Sequence, residues 1–117
     1  MRMSLLTEVA LRRTEGVRLR NDGCRISADA DEEEWYTQAK KWTEKAILAA
    51  TALSPADAER IRTLGKITAR LPDNCSPRSP EITKRLRMLT QRSELLDELV
   101  LYWGPYVTGA SVLPPRE

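Results

Sequence analysis

Three arginines, Arg18, Arg20 and Arg25, flank an Asp22-Gly23 pair in the run Gly-Val-Arg-Leu-Arg-Asn-Asp-Gly-Cys-Arg-Ile-Ser-Ala over residues 16–28. Guanidinium groups recognise carboxylates and phosphates through planar, forked hydrogen bonds. Three of them on one face would make an anion-recognition surface. The spacing that lines them up is that of a β-hairpin, because Asp-Gly suits a two-residue type I′ turn with positive φ at both central positions. With that turn Leu19 faces Ile26, Val17 faces Ala28, and the three arginines share the opposite face. Such a face is also the ordinary solvated side of a half-buried sheet. Three arginines with no interleaved acid repel one another, however, and an edge strand can add a partner strand through its backbone. Arg12 and Arg13 extend the basic segment: residues 1–28 hold six arginines against Glu8, Glu15 and Asp22.

Other chemistry is sparse. The chain has no histidine, which removes the commonest general base and metal ligand and any histidine triad. Cys24 and Cys75 are too few for a zinc site without other ligands. With no segment resembling a signal peptide, they read as reduced thiols of a cytoplasmic protein. Cys24 among arginines would have a lowered pKa, but no base stands beside it. The five acids between Asp29 and Glu34 point in different directions on a helix and cannot converge on one ion; a helix N-terminus accounts for them. The five glycines are scattered and form no phosphate loop. The expectation is a protein that is not an enzyme and uses no metal or cofactor.

The elements expected to position the arginines are mostly helical. With 117 residues, 31% charged and no phenylalanine, the core must come from aliphatic residues and three tryptophans. A short helix from Ser4 to about Glu15 would end at Gly16 as a left-handed cap. The hairpin at about 17–28 follows. A second helix at about 32–53 has Asp31 as its cap and Glu34 as the partner in a capping box. Trp35, Ala39, Trp42, Ala46, Ala49 and Leu53 make its apolar stripe. Ser54-Pro55 opens a third helix, about 55–71, with Ala58, Ile61, Leu64 and Ile67 facing inward. Pro72 to Pro80 reads as a loop. Ser79-Pro80 opens a fourth helix, about 80–103, which Gly104-Pro105 would stop. One stripe of this helix is Ile82, Leu86, Leu89, Leu96, Val100 and Trp103. Beside it Met88, Leu95, Leu99 and Tyr102 form a second, so the arc needs cover on two sides and the second stripe is a candidate dimer interface. No apolar run reaches the roughly 18 residues of a membrane span. The expected fold is α+β and mostly α, with residues 1–105 as one compact domain and 106–117 as an extended tail.

The order of a short leucine-rich helix followed by Gly-Val-Arg-Leu-Arg-Asn-Asp-Gly-Cys-Arg-Ile-Ser resembles the N-terminal docking domains of polyketide and nonribosomal peptide synthetases, of the tubulysin-synthetase type. Pro80-Glu81-Ile82 through Ser93-Glu94-Leu95-Leu96-Asp97-Glu98-Leu99 is similar to that family's closing helix. The resemblance covers roughly residues 4–28 and 79–103, and residues 29–78 have no equivalent in it. It implies a dimer whose hairpin receives an acidic tail by strand addition, with Arg18, Arg20 and Arg25 reading the peptide. The expected function is therefore a protein-interaction module, either an adaptor or a small inhibitor of the kind phage and mobile elements carry. Its partner-binding residues would be Arg12, Arg13, Arg18, Arg20 and Arg25. The alternative is a small nucleic-acid-binding protein, with those arginines and Arg60, Arg62, Lys66 and Arg70 on phosphates.

Overall fold

A computed structural model describes residues 2–107. The chain forms four helices, α1 (Arg2–Gly23), α2 (Asp29–Leu53), α3 (Pro55–Thr63) and α4 (Pro80–Val107). Among the described residues there is no strand. The expected α+β class and the β-hairpin at 17–28 are therefore corrected to an all-helical fold, in which α1 runs through Gly16 and through Asp22-Gly23.

The physical reason lies in what the two glycines do. Neither adopts the left-handed backbone that a cap or a type I′ turn needs. Instead each lacks a side chain where two other helices press in. A Cβ at Gly16 would stand 2.4 Å from Trp42 Cζ2 and 2.4 Å from Ser93 Oγ. One at Gly23 would stand 2.7 Å from Trp35 Cε2 and 2.7 Å from Leu86 Cδ2. Each indole then reaches the α1 backbone: Trp42 Nε1 donates to the Arg12 carbonyl and Trp35 Nε1 to the Leu19 carbonyl, both at 2.7 Å. In both cases the acceptor lies four residues before the glycine. A glycine in a helix interior costs about 1 kcal/mol relative to alanine. Burying an indole removes on the order of 200 Å² from water, worth about 5 kcal/mol, so the contact outweighs the propensity.

These contacts set the topology. Gly23 meets Trp35 and Gly16 meets Trp42, so α2 runs antiparallel to α1. Gly23 also meets Leu86, Gly16 meets Ser93, and Arg13 pairs with Asp97 at 3.1 Å, so α4 is antiparallel to α1 as well. Consequently α2 and α4 lie parallel to each other, both against the glycine-bearing face of α1, in a body of 50 × 23 × 23 Å. Val9, Ala46, Ile61, Ile82, Leu86, Leu96 and Trp103 are fully enclosed at its centre.

The other expected boundaries hold less evenly. α2 opens at Asp29 with Ala28 as its cap and no side-chain bond at that end, so Asp31 and Glu34 do not form the expected capping box. Ser54 does precede a proline-started helix, with its hydroxyl donating to Asp57 Oδ2 at 2.8 Å. α3 stops at Thr63, well short of 71, because Leu64 turns to φ 36°. At Ser79-Pro80 the serine Oγ accepts from the Ile82 amide at 3.3 Å. α4 continues past Gly104-Pro105 to Val107, with Pro105 inside its last turn. Of the expected tail at 106–117, the first two residues belong to α4 and the rest lie outside the described residues.

Residues 64–79 form an extended strap that returns from α3 to the start of α4. Its far end is tied down by a disulfide between Cys24 and Cys75, whose Cα atoms are 4.9 Å apart. This corrects the reading of two reduced thiols, and the cysteines give no argument for a reducing compartment. A cross-link across 51 residues contributes about 4 kcal/mol on the loop-entropy account. No described helix is long and apolar enough to cross a membrane.

Alanine at Gly16 tests the Trp-on-Gly contact directly. On helix propensity alone Gly16→Ala would stabilise by about 1 kcal/mol. Overpacking against Trp42 and Ser93 should instead destabilise by about 1–3 kcal/mol, read by urea denaturation, with Gly23→Ala behaving alike. A gain in stability at either position would mean that the indoles do not sit on the α1 backbone.

Candidate interaction groove

Between the parallel helices α2 and α4 opens a groove of about 520 Å³ that is lined by these two helices alone. Ala39 on α2 and Met88 and Leu89 on α4 supply an apolar base. Lys40, Arg85 and Arg92 stand around it, against one carboxylate, Glu44. On α4 the residues 85, 88 and 92 recur at helical spacing, which puts a methionine between two arginines on one face.

The two arginines are held in place. Arg85 lies over the Tyr36 ring, 4.7 Å from its centroid, and pairs with Glu81 at 3.3 Å. Arg92 donates from Nε to the Ile61 carbonyl at 3.0 Å and from Nη2 to the Arg62 carbonyl at 3.2 Å, so it closes the C-terminal end of α3. Burial lowers its pKa from the ordinary arginine value, and it remains a cation at any physiological pH. Tyr36 closes one end of the groove. Its hydroxyl donates to Glu32 Oε2 at 2.9 Å. Burial and that carboxylate raise its pKa above the ordinary value, with Arg85 opposing.

Behind the groove, α4 holds the strap by its backbone. Gln91 Oε1 accepts from the amides of Thr68 at 2.7 Å and Ala69 at 3.1 Å, and Gln91 Nε2 donates to the Lys66 carbonyl at 2.8 Å. Arg87 donates to the carbonyls of Ala69 and Ile67, both at 3.1 Å. The outward residues Lys66, Thr68 and Arg70 are exposed, while Ala69 is buried and Ile67 and Leu71 are half-buried.

The sequence-derived arginines do not converge. On a helix Arg18 and Arg20 point about 200° apart, so the strand face that would have gathered them does not exist. Arg12 is tied to Glu8 at 3.0 Å and Glu15 at 2.8 Å within α1, and Glu15 raises its pKa. Arg13 is tied to Asp97. Arg20 donates to Asn21 Oδ1 and shares the α1–α4 depression with Arg13, Glu94, Asp97 and Glu98. Arg25, just past α1, shares a depression with Asp22, Asp31 and Glu34. Arg18 is exposed beside Lys41 and Lys45 but also Glu15 and Asp22. Arg12 and Arg13 are thus paired with carboxylates of their own chain, and Arg18, Arg20 and Arg25 lie in three separate depressions that each also carry acids.

The second stripe of α4 divides. Leu99 is buried, and with Leu95 and Tyr102 it lines a depression against Ile61 of α3. α3 therefore provides part of the second cover that the wide arc calls for. Met88 faces the open groove. Sequence reasoning did not single out Tyr36, Lys40, Arg85 or Arg92; the Arg85–Met88–Arg92 spacing was the available signal. Among the described residues no cluster of side chains is suited to hold a metal ion.

The chain matches no protein-family model, and neither the curated proteins nor the solved structures give a match.

The raised Tyr36 pKa fixes an alkaline dependence. The folded state holds the phenol proton more tightly than the unfolded chain. That contribution is complete below about pH 10 and is lost as pH rises from there through the higher folded-state value. Tyr36→Phe should therefore lose stability less steeply above about pH 10 than the parent, in urea denaturation series across that range. Equal slopes would remove Tyr36 from the alkaline response.

Proposed function

We propose that the protein is a non-catalytic interaction module that seats an acidic, amphipathic helix of a protein partner between α2 and α4. The observation that carries this reading is the make-up of the groove. It has an apolar base at Ala39, Met88 and Leu89, and around it stand Lys40, Arg85 and Arg92 with Glu44, Arg85 being also paired to Glu81. An amphipathic helix laid in such a cradle buries its apolar stripe on the base. Its acidic flanks meet Lys40, Arg85 and Arg92, which steer and orient it more than they add raw affinity. This keeps the expectation of a partner with an acidic segment but moves its seat from a hairpin edge to a helical groove. Adaptor and inhibitor are both roles that such a module serves. Phosphate binding by the α1 arginines has less support, because Arg12 and Arg13 are paired with Glu8, Glu15 and Asp97, and Arg18 and Arg20 point away from each other.

A labelled synthetic helix with leucines at i, i+3, i+4 and i+7 and glutamates elsewhere tests this by fluorescence anisotropy. The expected result is saturable binding that a scrambled peptide lacks. Met88→Glu should weaken it roughly tenfold or more by placing a like charge on the apolar base, while Arg18→Ala changes little. Unchanged affinity in Met88→Glu, or tighter binding of an oligonucleotide with a steep salt dependence, would overturn the reading.

A further inference from the structure

The strap is held in two different ways along its length. Its middle, residues 66–69, is fixed by the Arg87 and Gln91 bonds to its backbone. Its last part, after Pro72, is fixed by the Cys24–Cys75 bond and by Arg78. Arg78 pairs with Asp29, whose side chain is 95% exposed, and with Glu32 Oε1 at 3.6 Å. The other oxygen of Glu32 accepts from Tyr36, the residue that closes the groove. Glu32 is therefore shared between the strap and the groove, and the strap supplies a cation beside it, which Asp29 also engages.

We propose that the Cys24–Cys75 disulfide is a reducible latch that sets the charge at the Tyr36 end of the groove. This rests on the reading of the groove as a seat for an acidic helix. With the bond in place, Arg78 is held over Glu32 and the groove end presents little net negative charge. Both cysteines are half-buried, within reach of a small dithiol. One thiolate of the dithiol attacks a protein sulfur to give a mixed disulfide. Its second thiolate then displaces that sulfur, so the reductant leaves as its own disulfide. The protein gains two electrons and two protons, as two thiols. After that, residues 72–79 are kept on α2 chiefly by Arg78, through one pair to the exposed Asp29 and one contact to Glu32 at 3.6 Å that is too long for a hydrogen bond, and such ties hold weakly. As Arg78 departs, Glu32 is left uncompensated beside Tyr36 and repels an acidic occupant. The oxidised chain is the binding form and the reduced chain the weaker one.

The test uses the full chain and the acidic synthetic helix, before and after treatment with dithiothreitol. Two quantities are read: peptide affinity by anisotropy, and hydrogen exchange of the strap by mass spectrometry. Reduction should raise exchange in residues 72–79, leave 66–69 protected, and lower affinity about two- to fivefold. Arg78→Ala should show the same loss with the disulfide intact, and Glu32→Gln should show no loss on reduction. Unchanged exchange in 72–79 overturns the latch whether or not the peptide binds. A rise that is no larger in 72–79 than in the four helices also overturns it, since the bond then acts only on the stability of the whole fold. An equal loss of affinity in Glu32→Gln overturns the route through Glu32. Failure of the peptide to bind in either state removes the groove reading and the consequence for affinity, while the exchange result decides the latch by itself.

Discussion

Two indoles seated on two glycines organise this protein. Trp35 on Gly23 and Trp42 on Gly16 repeat one contact seven residues apart, about two turns of each helix. In each the ring occupies the space a Cβ would fill, and its N–H shares a carbonyl inside the α1 hydrogen-bond ladder. Buried indole N–H groups need a partner, and a backbone stripped of side chains can offer one without breaking the helix. Ser93 of α4 meets Gly16 at the same point as Trp42, and its hydroxyl is buried without a hydrogen-bond partner. Leaving such a group unsatisfied costs about 1–3 kcal/mol, which indicates how tightly α1 is gripped between its two neighbours. Two helices on one narrow helix must run side by side, and the open space between them is the groove.

The same two glycines explain why the hairpin was legible and wrong. Glycine serves a chain in two ways, by reaching positive φ and by having no side chain. Asp22-Gly23 and Gly16 carry the local signs of the first use, and only their distant partners show the second. The matching interval was present in the sequence: glycines at 16 and 23, tryptophans at 35 and 42. A pattern that spans two elements lies outside a scan for one amphipathic stripe. α1 also hides its inward face, because glycines stand where leucines would mark it. By contrast, the α2 stripe was plain, with Trp35, Trp42, Ala46, Ala49 and Leu53 all buried as expected. So was the start of α4 at Ser79-Pro80. α3 ended early, just before Gly65, a poor helix former: Arg92 takes the Ile61 and Arg62 carbonyls, and Leu64 turns the chain away.

Charge followed the same logic. Counting arginines in residues 1–28 located a basic stretch but not a basic face, because the helix turns Arg12 toward Glu8 and Glu15 and Arg13 toward Asp97 and sets Arg18 and Arg20 apart. The cationic rim that does form takes Lys40 from α2 and Arg85 and Arg92 from α4, across a separation that a linear reading cannot close. Met88 is the exception. It was singled out because α4 carries more apolar arc than one neighbour can cover, and it lines the open groove. A surplus of apolar surface on one helix was thus the part of the site that the sequence showed most directly.

The strap shows a division of labour between backbone and side-chain recognition. Arg87, Gln91 and Arg92 bond to amides and carbonyls, so they hold residues 61–69 without regard to which side chains those residues carry. This frees the outward positions Lys66, Thr68 and Arg70 from any packing duty. It also satisfies backbone groups that an extended chain beside a helix would otherwise leave unpaired. Beyond Pro72 the logic reverses: Cys75 and Arg78 act through their side chains, and each reaches a different helix, Cys75 the end of α1 and Arg78 the start of α2. A strap fixed by its backbone is permanent as long as α4 is folded. One fixed by a sulfur bond and a shared carboxylate responds to its surroundings, and the place where it responds is the end of the groove that Tyr36 closes.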